Sequence, residues 1–563
     1  MTMSQAEGST VRKFWPVIVL IVLIVLFVVV PIVLSHLPTN SYITPAFTVG
    51  EDHAIRAFDM AKGFGEPGLY AFLRKMPKGG DLHMHLSGAI YAETFLKDAA
   101  ADNLCVNPKT LSFAKNPTVT QGKAAPKCAE GEVAAASVFA SQKLDDALID
   151  SFSMRSFVPT PGVSGHDQFF ATFDRFGGIN KSHTGEWLDE VATRAAAQNE
   201  QYLEVMMTPS FFDLAPLWNK LGWPATPAAA AGGQVQDPLG DATGTSRAEL
   251  DALRTQLLAA GLRDEVTLDR KELDDALAAR ERIERCGQPG GAAACMVKIR
   301  VIYQVLRAFP PQQVFAQTLL AFEVASSDSN VVGLNFVQPE DAYMAMSEYN
   351  RQMHMLDYLH SVYPQVHISL HAGELAPGMV PPDGLSFHIR EAVDLGHAER
   401  IGHGVDLMHE TEPRALLREL ASRRVMVEIN LTSNDVILGV KEDEHPLGAY
   451  MAAHVPVALS TDDEGVSRID ITHEYVRAVE EQGLGYADLK RMARTSLEHS
   501  FLPGESLWRK PDVFARVKDA CVDQKPGAGM PTGDCGALLK SSEKAAQQWE
   551  LERRFSLFES SLP

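Results

Sequence analysis

Apolar, β-branched residues recur along the chain in short continuous runs. They are "YLEVMM" from Tyr202, "VKIRVIY" from Val297, "VVGLNFV" from Val331, "VHISLHAG" from Val366, "RIGHGVDL" from Arg400, "VMVEINLTS" from Val425 and "VPVALSTDD" from Val455. A further run, "GGDLHMHLSGA", starts at Gly79. Unbroken apolar strands are buried on both faces, and amphipathic stretches such as "YNRQMHMLDYLHSVY" and "EPRALLRELASRR" lie between most of them. Alternation of this kind predicts a parallel sheet covered by helices. A strand count near eight favours an α/β fold of the (β/α)₈ TIM-barrel class over an open sheet.

Two segments interrupt the alternation and read as insertions. One covers about 99–133, rich in Ala, Lys, Thr and Pro; the other covers about 214–294. Within the second, "RAELDALRTQLLAAG" and "DRKELDDALAARERIER" space their apolar residues as helices do. A C-terminal extension follows from about 504, and the barrel domain is expected over 51–563. The segment "GFGEPG", Gly63–Gly68, matches a dinucleotide fingerprint in letters but follows a helical stretch and contains Pro67, so it reads as a turn.

At the N-terminus, Phe14–Ser35 carries no charged residue. That is long enough to cross a hydrocarbon core of about 30 Å as a helix. Arg12 and Lys13 precede it, and the next charge is Glu51. The excess of positive charge on the N-terminal side keeps residues 1–13 cytoplasmic, makes 14–35 an uncleaved signal anchor and 36–50 a tether, and places the remainder outside the cytoplasm, with a secreted form if the segment is cleaved. Six cysteines fall into neighbouring couples, Cys105 with Cys128, Cys286 with Cys295 and Cys521 with Cys535, as expected of disulfides formed in an oxidising compartment.

The formal charge of -21 over 563 residues is spread without a basic run, which argues against nucleic acid as a partner. The lipid bilayer is a partner only through the anchor, and a homodimer is left open.

The chemistry collects where strands end. His83 and His85 close one run, "HAGE" with His371 and Glu374 a second, "GHG" with His403 a third, and "STDDEG" with Asp462 and Asp463 the last. Residues i and i+2 of a strand face one side, so His83 and His85 can serve one ion together. Barrels of this class carry their chemistry at the C-terminal ends of the strands. Imidazoles and a carboxylate suit a zinc ion with an open coordination position.

The ordered set "MPKGGDLHMHLSGA", "SLHAGE", "REAVDLGHAERIGHG", "VEINLTSN" and "ALSTDDEGV" resembles the adenosine deaminase family of metal-dependent amidohydrolases. "SLEHSFLP", Ser496–Pro503, is similar to the secreted growth-factor-type branch. The resemblance runs from about Met76 to Pro503. It implies one zinc ion per chain on His83, His85, His371 and Asp462, with Glu374 as proton donor to purine N1. It also implies that His403 orients the water as base or electrostatic partner, and that Asp463 bonds N7. Deamination of adenosine, and of 2'-deoxyadenosine, to inosine and ammonia outside the cytoplasm is the implied activity. Glu428, Ser433 and Asn434 would support the site, and Arg307 would lie near it without a catalytic role.

Substrate contacts are expected from Asp463, Ser87, Gly88 and Gln338, and from Phe169 and Phe173 on a helix whose Phe176 shares their face. Four positions depart from the family's pattern: Ser87 for an aspartate near the ribose, Gln338 for a glycine near the purine, Glu464 for proline after the aspartate pair, and Met206 for an arginine. The alternatives are a deaminase or amidohydrolase of another aminopurine or a non-purine amide, and a barrel that binds a nucleoside or a partner protein without catalysis.

Overall fold

A computed structural model describes residues 49–114, 128–179, 181–209, 214–221 and 245–562. The expected anchor, residues 14–35, lies outside the described residues, as do the cytoplasmic segment and nearly all of the tether. Among the described residues no helix is long and apolar enough to cross a membrane. Gly50–Pro563 forms one compact unit.

Eight strands build its centre: β1 (Gly79–His85), β2 (Glu200–Met207), β3 (Lys298–Leu306), β4 (Val331–Val337), β5 (His367–Ala372), β6 (Arg400–His403), β7 (Met426–Ile429) and β8 (Val457–Leu459). Each pairs in parallel with the next, so their order in the sheet is their order in the chain. The β8 end of the sheet returns to β1. Just past β8, Asp462 donates its N–H to the His83 carbonyl at 2.8 Å and accepts from His85 N–H at 3.0 Å. This bridge between Met84 and Asp462 brings the two halves of the site onto one rim and gives the (β/α)₈ barrel that the alternation predicts.

Strands fully covered on both sides need apolar residues in unbroken succession, and β1 and β2 are buried at every position. Several of the polar residues that lie inside are paired. Arg400 on β6 reaches Glu204 on β2 and Glu428 on β7, both at 2.6 Å, and Tyr202 donates to Glu204 at 2.7 Å. Lys78, just ahead of β1, buries its ammonium against the carbonyls of Leu73, Met76 and Gln198 at 2.6, 3.1 and 2.7 Å.

Both expected insertions have structure of their own. The first contains a three-stranded antiparallel sheet, Cys105–Asn107 with Ser112–Phe113 and Val133–Ala134. The second contains the helices Arg247–Ala259 and Leu262–Glu284. Beyond 504 the chain adds Gly533–Ser541 and Glu543–Ser561. The cysteines pair as the neighbouring couples suggest, Cys105–Cys128, Cys286–Cys295 and Cys521–Cys535, with no free thiol.

Candidate active site

Strand ends fix every group of the site. His83 and His85 leave β1 on one face, His371 ends β5, His403 ends β6, and Asp462 and Asp463 follow β8. One ligand atom each from His83, His85, His371 and Asp462 lie within 4.8 Å of one another. His85 Nε2 is 3.2 Å from His371 Nε2, and Asp462 Oδ1 is 3.4 and 3.2 Å from the Nε2 atoms of His83 and His85.

The far side of each ring decides which nitrogen is bare. His83 Nδ1 meets Glu428 Oε2 at 2.6 Å, His85 Nδ1 meets Gln304 Oε1 at 3.1 Å, and His371 Nδ1 meets Asn335 Oδ1 at 2.8 Å. All three partners are acceptors, so each ring donates from Nδ1 and turns an Nε2 lone pair inward. The amide orientations are themselves set: Gln304 donates to Thr208 Oγ1 at 3.2 Å, and Asn335 to Ser369 Oγ at 3.3 Å. Ser433 donates to Asp462 Oδ2 at 2.6 Å, leaving Oδ1 for the cluster.

Three inward lone pairs and one carboxylate oxygen repel one another unless a cation joins them. His83 Nε2 is buried without a hydrogen-bond partner. Burial opposes charge on His83, yet the flanking Asp462 and Glu428 carboxylates outweigh it and push its pKa up to about 10, a measure of the negative field a cation would balance. His371 is driven well down by burial and by the neighbouring rings, which keeps it neutral and able to ligate. The donor set fits a divalent metal.

Glu374 and His403 stand beside this cluster, with His403 Nε2 3.7 Å from Glu374 Oε1. Burial first, then the Asp462 and Glu340 carboxylates, hold Glu374 well above the usual carboxyl range, which favours its acid form. Glu340 also fixes the Glu374 backbone, accepting from Gly373 N at 3.1 Å and Glu374 N at 2.8 Å, and it is held in turn by His388. Burial and the adjoining Asp462 raise Asp463 as well.

Strain accompanies the site. His403, Asp462 and Gln338 all have positive φ, at 70°, 60° and 90°. Side chains cost about 1–3 kcal/mol there, and such positions cluster where function requires them.

A cavity of about 370 Å³ opens onto the cluster. His85, His371, Glu374, Asp462 and Asp463 form its polar end; Ser87, Phe169, Phe170, Phe173, Leu306 and Gln338 are among its walls. No lysine or arginine lines it among the described residues, while Asp174 does. Phe169 and Phe173 line it, as does Phe170, while Phe176, next along the same face, stacks on Phe95 at 4.5 Å in the core. The Gln338 side chain is engaged elsewhere, accepting from Ala308 N at 2.9 Å. Gly88 is not a wall of the cavity; it packs directly behind Asp463. Glu464 is tied into a buried ion pair with Arg194, at 2.6 Å, and Arg194 also donates to the Ala89 carbonyl. Arg307 is buried and donates to the carbonyls of His371 and Gln338, a positioning contact.

Sequence reasoning missed Gln304, Asn335, Glu340, Phe170 and His445. His445 was carried by "EHPLG", a polar patch between a helix and an apolar strand that could have been weighed as a candidate.

The family model for adenosine deaminase matches residues 274–517. The chain is similar to the adenosine deaminase of Shewanella loihica, 39% identical over 136 residues, which is 24% of this chain and 38% of that protein. It is also similar to the adenosine deaminase of Escherichia coli, 39% identical over 140 residues, 25% of this chain and 39% of that one. The aligned stretch spans less than half the length of either relative. Among solved structures, the adenine deaminase of Arthrobacter aurescens aligns with 76% of this chain and 94% of its own, at 16% identity and a TM-score of 0.46.

Proposed function

Because the chain belongs to the adenosine deaminase family, we propose that it catalyses the hydrolytic deamination of a 6-aminopurine nucleoside, adenosine and 2'-deoxyadenosine foremost. One water enters; inosine or 2'-deoxyinosine and ammonia leave. The observation that carries this reading is the convergence of three inward Nε2 lone pairs and Asp462 beside the buried Glu374 carboxyl, whose pKa that burial raises.

In this reading His83, His85, His371 and Asp462 hold zinc, which supplies the Lewis acidity that activates water near neutral pH. Glu374 donates its proton to ring N1, making C6 electrophilic. Asp463 bonds N7 and sets the base edge-on to the cluster. His403 holds the attacking oxygen, and Phe169, Phe170 and Phe173 cover the purine face. Ser87, at the cavity wall, offers a hydroxyl to the sugar.

A nucleoside is favoured over a nucleotide by charge. The cavity is lined by Asp174, Glu374, Asp462 and Asp463 with no lysine or arginine among the described residues, so a phosphate would find no counter-charge. The same cavity would also accept another 6-aminopurine.

We further propose that the domain works outside the cytoplasm, tethered through residues 14–35, and that it belongs with the growth-factor-type branch. Three disulfides without a free thiol support an oxidising compartment. The first test is an ultraviolet assay with adenosine, its 5'-phosphate and adenine, run with metal analysis on one sample. Deamination of the nucleoside with about one zinc per chain is the expected outcome. Zinc without activity on any of the three would overturn the substrate assignment. Protease accessibility of the domain on intact cells tests the location.

A further inference from the structure

A chain of hydrogen bonds runs from a backbone amide to His403, and its direction admits one solution. Leu447 N–H can only donate, and it points at His445 Nδ1 at 3.2 Å. His445 therefore carries its proton on Nε2, which lies 3.0 Å from Asn434 Oδ1. With that oxygen accepting, Asn434 turns its amide N–H to His403 Nδ1 at 2.9 Å, and Asn430 places its own amide nitrogen 3.4 Å from the same atom. His403 Nδ1 is thus an acceptor. A neutral ring whose Nδ1 accepts holds its proton on Nε2, the atom beside Glu374 and Asp462 that has no hydrogen-bond partner.

We propose that His445 and Asn434 are positioning residues that fix His403 as the Nε2–H tautomer, so that it presents a hydrogen-bond donor, not a lone pair, to the reacting oxygen. The three imidazoles of the cluster show the opposite wiring, Nδ1–H with Nε2 bare. The outer partner of each ring sorts four nearby histidines into three that can ligate a metal and one that cannot. His445 and Asn434 are buried, as is His403, so water does not compete for these bonds. Burial also drives the pKa of His445 down to about 3, which keeps that ring neutral with a single proton.

This inference rests on the deaminase reading for its catalytic meaning and on the hydrogen-bond directions alone for the tautomer. The experiment separates the two. Full-length, zinc-loaded protein labelled with ¹⁵N-histidine would be compared with Asn434→Asp, His445→Leu and His445→Gln, the His403 signals being assigned by their loss in His403→Gln. Native protein is expected to show His403 protonated at Nε2 with a bare Nδ1. In Asn434→Asp an isosteric carboxylate accepts from both neighbours, so Nδ1 becomes protonated, kcat falls at least tenfold and zinc content is unchanged. His445→Leu follows the same direction. His445→Gln restores an N–H to Asn434 and recovers the native ring pattern and most of kcat.

A native His403 protonated at Nδ1, or an Asn434→Asp ring unchanged from native, would overturn the proposal. So would a switched ring with native kcat. An Nε2–H ring in a protein that deaminates no purine would uphold the tautomer and overturn the deaminase reading.

Discussion

Asp463 occupies the space that a side chain on Gly88 would need: a Cβ at that position would lie 1.4 Å from Asp463 Oδ1. Gly88 follows β1 and Asp463 follows β8, so the contact lies at the seam of the barrel where His83, His85 and Asp462 meet. Gly88→Ala must therefore displace the Asp463 carboxylate. A misplacement of about 1 Å near reacting atoms can cost roughly 100-fold in rate. We expect kcat/KM to fall by about that factor with zinc content retained. Native kinetics in Gly88→Ala would remove Asp463 from the substrate contact.

Glu374→Gln keeps the shape and loses the proton. Glu374 is not among the four residues whose atoms converge with the His83 group, so the metal should stay. Proton donation by a positioned acid contributes roughly 10² to 10⁴ in rate. The expected result is a loss of that order in kcat with unchanged metal content. Turnover within tenfold of native would contradict the donor role.

The fold was legible because a parallel barrel buries its strands on both faces, and that requirement writes itself as apolar runs separated by amphipathic helices. His83, His85, His371 and Asp462 were legible for a related reason: chemistry at the ends of parallel strands leaves polar residues abruptly after an apolar run. Their outer partners were not. Gln304 lies 219 positions from His85 and Asn335 lies 36 from His371, and each is one inward residue of a strand whose direction only closure of the barrel reveals. The bond from Ala308 N–H to Gln338 Oε1 had no signature in the sequence, because it follows from a positive φ at Gln338.

Glu428 sits between His83 and Arg400, bonded to each at 2.6 Å. Burial would raise its pKa, but the Arg400 guanidinium and His83 hold it below the usual range, so it stays ionised. Glu428→Gln removes the charge that orders the His83 tautomer, and loss of such an outer partner typically weakens metal binding about 10- to 100-fold. Competition with a chelator reads this directly. Glu428→Ala leaves the Arg400 charge partly unpaired in the interior, at a cost of about 3–5 kcal/mol. Equal chelator resistance in native and Glu428→Gln proteins would refute the first expectation.

His166 ties the aromatic helix over the cavity to the turn after Gln338: its Nε2 is 3.0 Å from Asp341, and Asp167 flanks it at 3.9 Å. Burial would lower the pKa of His166, but the Asp341 bond and charge prevail and raise it. A histidine raised in the folded protein stabilises fully below its unfolded value, near 6.5, and that contribution disappears as pH climbs through the folded value. The helix should therefore hold less firmly in mildly alkaline solution than at pH 6. Hydrogen exchange over 165–176 measured at both values should show faster exchange at the higher pH after correction for the intrinsic rate. Asp341→Asn should abolish the difference, and an unaltered difference in that variant would show that the ion pair is not its source.

The disulfide Cys521–Cys535 lies fully buried in a separate apolar cluster with Leu507, Trp508, Phe514, Ala545 and Trp549, none of which belongs to the site. Its half-cystines are 14 residues apart in sequence, and closing a loop of that size in the unfolded chain is worth about 3 kcal/mol. Replacing both by serine also places two hydroxyls among aromatic rings, which adds to the loss. Stability should fall while kcat of the folded fraction stays native, because the barrel rim is held by the β1–β8 seam and not by the extension. Thermal unfolding without reductant provides the measurement, with the double variant melting below native protein; in reductant, which also opens Cys105–Cys128 and Cys286–Cys295, the difference between the two proteins should shrink. A double variant as stable as native would mean that the packing of Trp508 and Trp549, rather than the covalent link, holds the extension in place.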